Sequence, residues 1–171
     1  GIQYLLRAMP LILKKSPDTA LLIVGEGPFR KDLETETNNL KIKQHVIFAG
    51  AQDRERLIDY YNAADVFVMP SLSGKSGTEA QGLSLLEAMA CSSPVVATNI
   101  GGIPEAIMHN ETGILVPQKN ENELAIAILS LLDNKSKRIA LGKNAAVSVR
   151  KNFAWPIIHK KFRKIYSGVF G

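Results

Sequence analysis

Residues 79–98 read Glu-Ala-Gln-Gly-Leu-Ser-Leu-Leu-Glu-Ala-Met-Ala-Cys-Ser-Ser-Pro-Val-Val-Ala-Thr, and the rest of the chain is arranged around them. Gly82 marks a tight entry into an apolar helix of about three turns. Pro94 ends that helix, and Val95 to Thr98, β-branched and small, reads as a buried strand. A helix entered through a glycine presents unpaired backbone N–H groups and a positive dipole end, so it can hold a phosphate. Glu79 stands before that end and Glu87 lies just over one turn inside it. Carboxylates accept hydrogen bonds from sugar hydroxyls. A phosphate site flanked by two such acceptors suits a nucleotide sugar.

The elements outward from this stretch repeat the same alternation. Helical spacing covers Ile2 to Lys15, with Pro10 set to kink that helix or cost it a hydrogen bond. Ala20 to Val24 is a short, wholly apolar run, read as a parallel strand covered on both faces. Phe29 to Asn39 is a polar helix, Val46 to Ala49 a strand, and Asp53 can cap a helix running to about Asn62. Asp65 to Met69 is the next strand. Beyond Thr98 come a short helix at Glu105 to Met108, a strand at Ile114 to Val116, and helices at Asn120 to Leu132, Lys135 to about Val149, and Trp155 to Val169. Hairpin signals are almost lacking. The pattern predicts an α/β fold, a Rossmann-like open parallel sheet with helices on both faces. Ligands of such sheets lie at the carboxyl ends of the strands, so the turns at Gly25, Gly50, Pro70 and Thr98 should share one edge with the Glu79 loop.

Composition bounds the function. The 171 residues, 46% apolar and 22% charged, suit one ordinary globular domain or two small ones. No run reaches the roughly 18 apolar residues of a membrane span. The single Cys91 cannot form an internal disulfide, which fits a reducing, cytoplasmic compartment; it reads as a small core residue. The net charge of +5 is uneven: no Asp or Glu follows Asp133, and ten Lys and Arg do. The basic character belongs to the C-terminal helices.

Several motifs fail on inspection. Gly25-Glu26-Gly27 follows a strand, but the third glycine of a dinucleotide fingerprint would fall at Arg30. Gly74-Lys75-Ser76 lacks both the first glycine of a P-loop, at Met69, and an immediate helix. His45, His109 and His159 have no partner at metal-ligand spacing, and no metal site is predicted. No Gly-x-Ser-x-Gly elbow occurs. Glu87, set among Leu83, Leu85, Leu86, Ala88, Met89 and Ala90, is predicted to be functional because a charge buried without a partner is costly.

At these residues the chain resembles the C-terminal, donor-binding half of a GT-B fold retaining glycosyltransferase of family 4. The pieces are residues 16–28 (Ser-Pro-Asp-Thr-Ala-Leu-Leu-Ile-Val-Gly-Glu-Gly-Pro), 46–50 (Val-Ile-Phe-Ala-Gly), 61–71 (Tyr-Asn-Ala-Ala-Asp-Val-Phe-Val-Met-Pro-Ser) and the two glutamates of 79–87. Glu-Ala-Met-Ala (87–90), Pro-Val-Val-Ala-Thr (94–98), Gly-Gly-Ile-Pro-Glu (101–105) and Thr-Gly-Ile-Leu-Val-Pro (112–117) complete them. The resemblance implies that Glu79, the catalytic candidate, contacts donor-sugar hydroxyls and that Glu87 holds the ribose. It implies that backbone groups near Gly82, Leu83 and Ser84 cradle the diphosphate. It also implies that Ala51, Gln52 and Arg54 line the base pocket. The resemblance further implies a nucleotide diphosphate sugar as donor, no metal and no further cofactor, and retention by front-face attack without a protein nucleophile.

Residues 1–152 would form the nucleotide-sugar-binding domain. Residues 153–171 would form the helix that crosses back to an N-terminal acceptor domain not contained in this sequence. Its stripe of Trp155, Ile158, Phe162, Ile165 and Val169 is expected to pack on protein, although its flanking cations also suit an anionic membrane at the inner face. Ala80 and Ser92 stand where the family often has glycine. The chain starts without Met, where the family's first helix starts, and reads as a piece of a longer protein that would be inactive alone. Two other readings compete: a nucleotide-sugar epimerase of the same fold, and a non-enzymatic basic module. Binding of nucleic acid is not expected, because the bases are not interleaved with exposed aromatics.

Overall fold

In the computed structural model, which describes residues 1–74 and 82–170, the centre is β4, Val95–Thr98. Val95, Val96 and Ala97 are 0% exposed and Thr98 1%. A strand covered on both faces needs no polar alternation, which is why this run is continuously apolar up to Thr98. It pairs in parallel with β3, Phe67–Met69, and with β5, Ile114–Val116, in the registers Phe67↔Val95 and Val96↔Ile114. The other strands, β1, Leu21–Val24, and β2, Val46–Gly50, form a parallel pair of their own. Strand β1 is not covered on both faces as its apolar run suggested, because Leu22 is 41% exposed.

Among the described residues all strand pairs are thus parallel, as the alternation of elements predicted. The sheet is in two pieces, however, because β1 and β3 are not hydrogen-bonded to each other. What joins the pieces is α1, Ile2–Leu13. Its Leu5, Leu6, Met9 and Ile12 form a core onto which Leu21 and Ile23 pack from one piece and Val66 and Val68 from the other. Gly1 starts this helix at the carboxyl end of β3, so close that a Cβ there would lie 1.6 Å from the Pro70 carbonyl oxygen.

The two faces of β4 define two cores. Val96 joins α1 and α6, Glu121–Leu132, in the first. Val95 and Ala97 join α4, Leu83–Ala90, α5, Ile103–Ala106, and α7, Lys135–Asn152, in the second. Helices α2, Arg30–Asn39, and α3, Arg54–Ala63, complete the layers, and α8, Trp155–Phe170, ends the chain. Side-chain caps on Asn120 and Asn134 accept from the N–H of Glu123 and Lys137 at 3.0 and 2.9 Å and set the starts of α6 and α7.

Some boundaries differ from the sequence reading. Pro10 is carried within α1 on its solvent side. Asp53 occupies the N-cap position of α3, but its side chain makes no capping bond. Helix α5 lies earlier than Glu105 to Met108, because Pro104 sits in its first turn, where no N–H is needed. Lys43–His45 forms a 3-10 turn that periodicity did not reveal. Arg138 is not simply part of a basic tail. Its Nη1 donates to the carbonyls of Leu131 and Leu132 at 2.8 and 2.6 Å, closing the end of α6, and its Nη2 lies 3.2 Å from Asp65.

Candidate functional site

Hydrogen bonds tie together the turns at the carboxyl ends of the strands, where the sequence placed the candidate site. Thr98 Oγ1 donates to the Ser71 carbonyl at 2.7 Å, linking the exits of β4 and β3. The Ser73 N–H donates to Gln118 Oε1 at 3.0 Å, bringing in the turn after β5. In the other sheet piece the Gly25 N–H donates to the Gly50 carbonyl at 2.8 Å.

Helix α4 opens onto this edge through Gly82, at φ 64° and ψ 73°. That left-handed conformation favours glycine, and a Cβ there would meet Met69 Cε at 2.8 Å. The N–H groups of Leu85 and Leu86 turn back to the Gly82 carbonyl at 2.9 and 3.1 Å. Those of Leu83 and Ser84 precede this first intrahelical bond and face the edge, together with the positive end of the helix dipole. Leu85, Ala88 and Met89 are fully buried, whereas Leu83 is 74% exposed. The other end of α4 is closed by Ser92 in the left-handed conformation, φ 63°, with the Ser93 N–H donating to the Ala88 carbonyl at 3.0 Å.

Glu87 is not buried by its apolar neighbours. Its side chain is 39% exposed, on the flank of α4 turned towards α3. The cost of a buried charge therefore does not single it out; its partners do. Tyr61, on α3, is 8% exposed and packs edge-on against Phe67, with ring centroids 5.7 Å apart. Its hydroxyl donates to Glu87 Oε2 at 3.1 Å. Burial, and then this hydrogen bond to a carboxylate, push the Tyr61 hydroxyl up to about 12. Arg54 Nη2, at the start of α3, lies 3.9 Å from Glu87 Oε1 and is 87% exposed. Cys91, one turn further along, is a free, half-buried thiol; burial and then the Glu87 charge push its pKa up.

The structure thus brings Arg54 to Glu87 and sets Gly82, Leu83 and Ser84 one turn away on the same helix. Ala51 and Gln52 lie in the turn between β2 and α3 that delivers Arg54. Gln52 Nε2 donates back to the Ala49 carbonyl at 2.7 Å. No hydrogen bond joins Ala51 or Gln52 to Glu87 among the described residues. Glu79 falls in residues 75–81, outside the described residues. Tyr61 was not singled out from the sequence; the available signal was its four-residue spacing from Leu57, which puts both on the inner face of α3.

Two of the three histidines have structural partners. His109 Nδ1 accepts from the Leu115 N–H at 3.0 Å, and His45 Nδ1 lies 3.1 Å from the Thr19 carbonyl. Among the described residues no group of three or more His, Cys, Asp or Glu could hold a metal ion, and no helix is long and apolar enough to cross a membrane.

Parallel strands alternating with helices on both faces, with a glycine-entered helix at their carboxyl edge, define a Rossmann-like fold. Known proteins agree. The family described as "Glycosyl transferases group 1" matches residues 1–147, and the chain belongs to that family. It is 33% identical over 170 residues to a GDP-mannose-dependent alpha-(1-6)-phosphatidylinositol monomannoside mannosyltransferase of Mycolicibacterium smegmatis. That match covers 98% of this chain and 44% of the relative, so the chain spans less than half of that protein's length. The C-terminal domain of a glycosyl transferase group 1 family protein from Francisella tularensis superposes with a TM-score of 0.80 at 30% identity, covering 91% of this chain and 80% of that one. Anabaena HepE, solved in complex with UDP, superposes at 0.86 with 25% identity, covering 98% and 45%.

Proposed function

We propose that this chain is the donor-binding half of a retaining glycosyltransferase, which moves a sugar from a nucleotide diphosphate sugar to an acceptor hydroxyl. The observation that carries this is the pairing, on one helix of a group 1 glycosyl transferase chain, of a Gly82-entered N-terminus with Glu87 just over one turn inside. The diphosphate sits on the N–H groups of Leu83 and Ser84, where the helix end favours the negative charge that grows as the leaving group departs. Glu87 accepts the ribose hydroxyls and Glu79 the hydroxyls of the transferred sugar. The base lies against Ala51, Gln52 and Arg54. The acceptor oxygen attacks the anomeric carbon from the face that the diphosphate leaves, so configuration is retained without a protein nucleophile.

Two relatives support this donor class: one is named for its dependence on GDP-mannose and the other was solved with UDP. The acceptor is held by a second domain of the longer protein, in the cytoplasm. Residues 153–171 then act as a strap to that domain, since α8 leaves Trp155, Phe162 and Ile165 exposed at 82%, 54% and 62%.

Titrating UDP-, GDP- and ADP-sugars into the full-length protein, followed by a transfer assay, tests the reading. Binding of one nucleotide class, and transfer by the full-length protein but not by these 171 residues, are expected. Failure of all three donors to bind refutes it.

A further inference from the structure

The Glu87 carboxylate has an inner and an outer oxygen in different surroundings. Oε2 receives the hydroxyl of buried Tyr61 at 3.1 Å. Oε1 faces outward, with the exposed Arg54 guanidinium at 3.9 Å, beyond hydrogen-bond distance. A glutamate on a helix flank has three side-chain torsions and loses appreciable entropy when it is held for a ligand. Tyr61 removes part of that freedom in advance, because a phenol has only two torsions and this one is locked by its edge-on contact with Phe67.

The backbone of Tyr61 is fixed as well. Ser93 Oγ, 3% exposed, donates to the Tyr61 carbonyl. Ser93 itself belongs to the turn that closes α4, the helix bearing Glu87. The result is a closed circuit: α4, its C-terminal turn, the end of α3, the phenol, and back to α4. Such a circuit resists rotation of the carboxylate independently of any ligand.

We propose that Tyr61 is a positioning residue for donor binding: its hydroxyl holds Oε2 of Glu87 so that Oε1 is presented, pre-oriented, to the ribose hydroxyls. The inference rests on the reading of Glu87 as the ribose acceptor given above. A phenol serves here better than a lysine or arginine would. It donates one hydrogen bond without neutralising the carboxylate, so Oε1 keeps its strength as an acceptor.

Tyr61→Phe keeps the ring and its packing and removes only the donor. The test is calorimetric titration of the full-length protein and its Tyr61→Phe, Glu87→Ala and double variants. The titrants are the nucleoside diphosphate that binds best and its 2′,3′-dideoxy analogue, and each variant is checked by thermal melting. The Tyr61→Phe change is expected to weaken the ribose-bearing ligand roughly 3- to 10-fold, a fraction of a full charged hydrogen bond. It should leave the dideoxy ligand unchanged and have no effect in the Glu87→Ala background. A merely structural tyrosine would weaken both ligands alike and would do so in either background; that result, or no loss at all, overturns the proposal. Unchanged affinity of Glu87→Ala for the ribose-bearing ligand overturns the reading of Glu87 itself, whatever Tyr61→Phe does.

Discussion

Replacing Gly82 by alanine tests the entry to α4. An alanine at φ 64° is in the left-handed region, which costs an L-residue about 1–2 kcal/mol. Its Cβ would stand 2.8 Å from Met69 Cε and 3.0 Å from Met69 Sδ. Both belong to the flexible end of that side chain, so relief by an off-rotamer methionine adds about 0.5–1.5 kcal/mol. The smaller entropy of an unfolded chain with alanine returns about 0.4–1 kcal/mol. The net loss is about 1–2 kcal/mol, or roughly 2–8 °C in melting temperature for a chain of this size. Gly82→Asn, which tolerates the left-handed region better, should lose less of the backbone part. Scanning calorimetry of the three proteins gives the stability. Titration with a nucleoside diphosphate gives the site, where Gly82→Ala should bind more weakly as the N–H groups of Leu83 and Ser84 are displaced. A Gly82→Ala protein that melts within a degree of the parent and binds equally well would refute this account of the helix entry.

Gly142→Ala should be destabilising despite better helix propensity. The new Cβ would lie 2.0 Å from the Ser92 carbonyl oxygen, a backbone atom. Parting α7 from the turn after α4 costs about 1–3 kcal/mol, against about 1 kcal/mol gained; urea unfolding measures the difference, and a more stable variant would contradict the close approach. Stability should fall as pH rises from about 10 to about 12, because Tyr61 ionises in the unfolded chain first and its folded hydroxyl is pushed up to about 12. Its share, present in full below the unfolded value, is about 2–3 kcal/mol at most, and Tyr61→Phe should flatten that part of the profile relative to the parent. Helix α8 should act through protein contact. Flotation of the full-length protein with neutral and anionic vesicles should recover none, and recovery on anionic vesicles that vanishes when Lys160, Lys161, Arg163 and Lys164 become Gln would reverse that assignment.

The features legible in the sequence are those decided within a few residues. Val95 to Thr98 could be read as a buried strand because it is a run of β-branched and small residues. Gly82 could be read as a helix entry because it stands directly before an apolar run. What depends on distant partners was not legible. The Tyr61–Glu87 hydrogen bond joins residues 26 apart on different helices. The split between β1 and β3 is a matter of non-local pairing, which strand patterns do not encode. Glu87 was placed among apolar neighbours by sequence, yet a helix has sides, and its side chain emerges on one that α3 covers only in part. Arg138 counted as one more base of a cationic segment until its contacts with the end of α6 fixed it. Ser92 was noted only as a departure from glycine; its φ of 63° shows why glycine suits that position.

The central claim is that Glu87 holds the nucleotide and Glu79 the sugar. The direct measurement is calorimetric affinity of the full-length protein for a nucleoside diphosphate and for its sugar conjugate, compared with Glu87→Ala and Glu79→Ala. The account predicts that Glu87→Ala weakens both ligands alike, by about 1.5–3 kcal/mol for a hydrogen bond to a charged group. Glu79→Ala should lower only the affinity for the sugar conjugate. Equal losses for both ligands in both variants, or a Glu87→Ala protein that binds the nucleoside diphosphate as well as the parent, would contradict it.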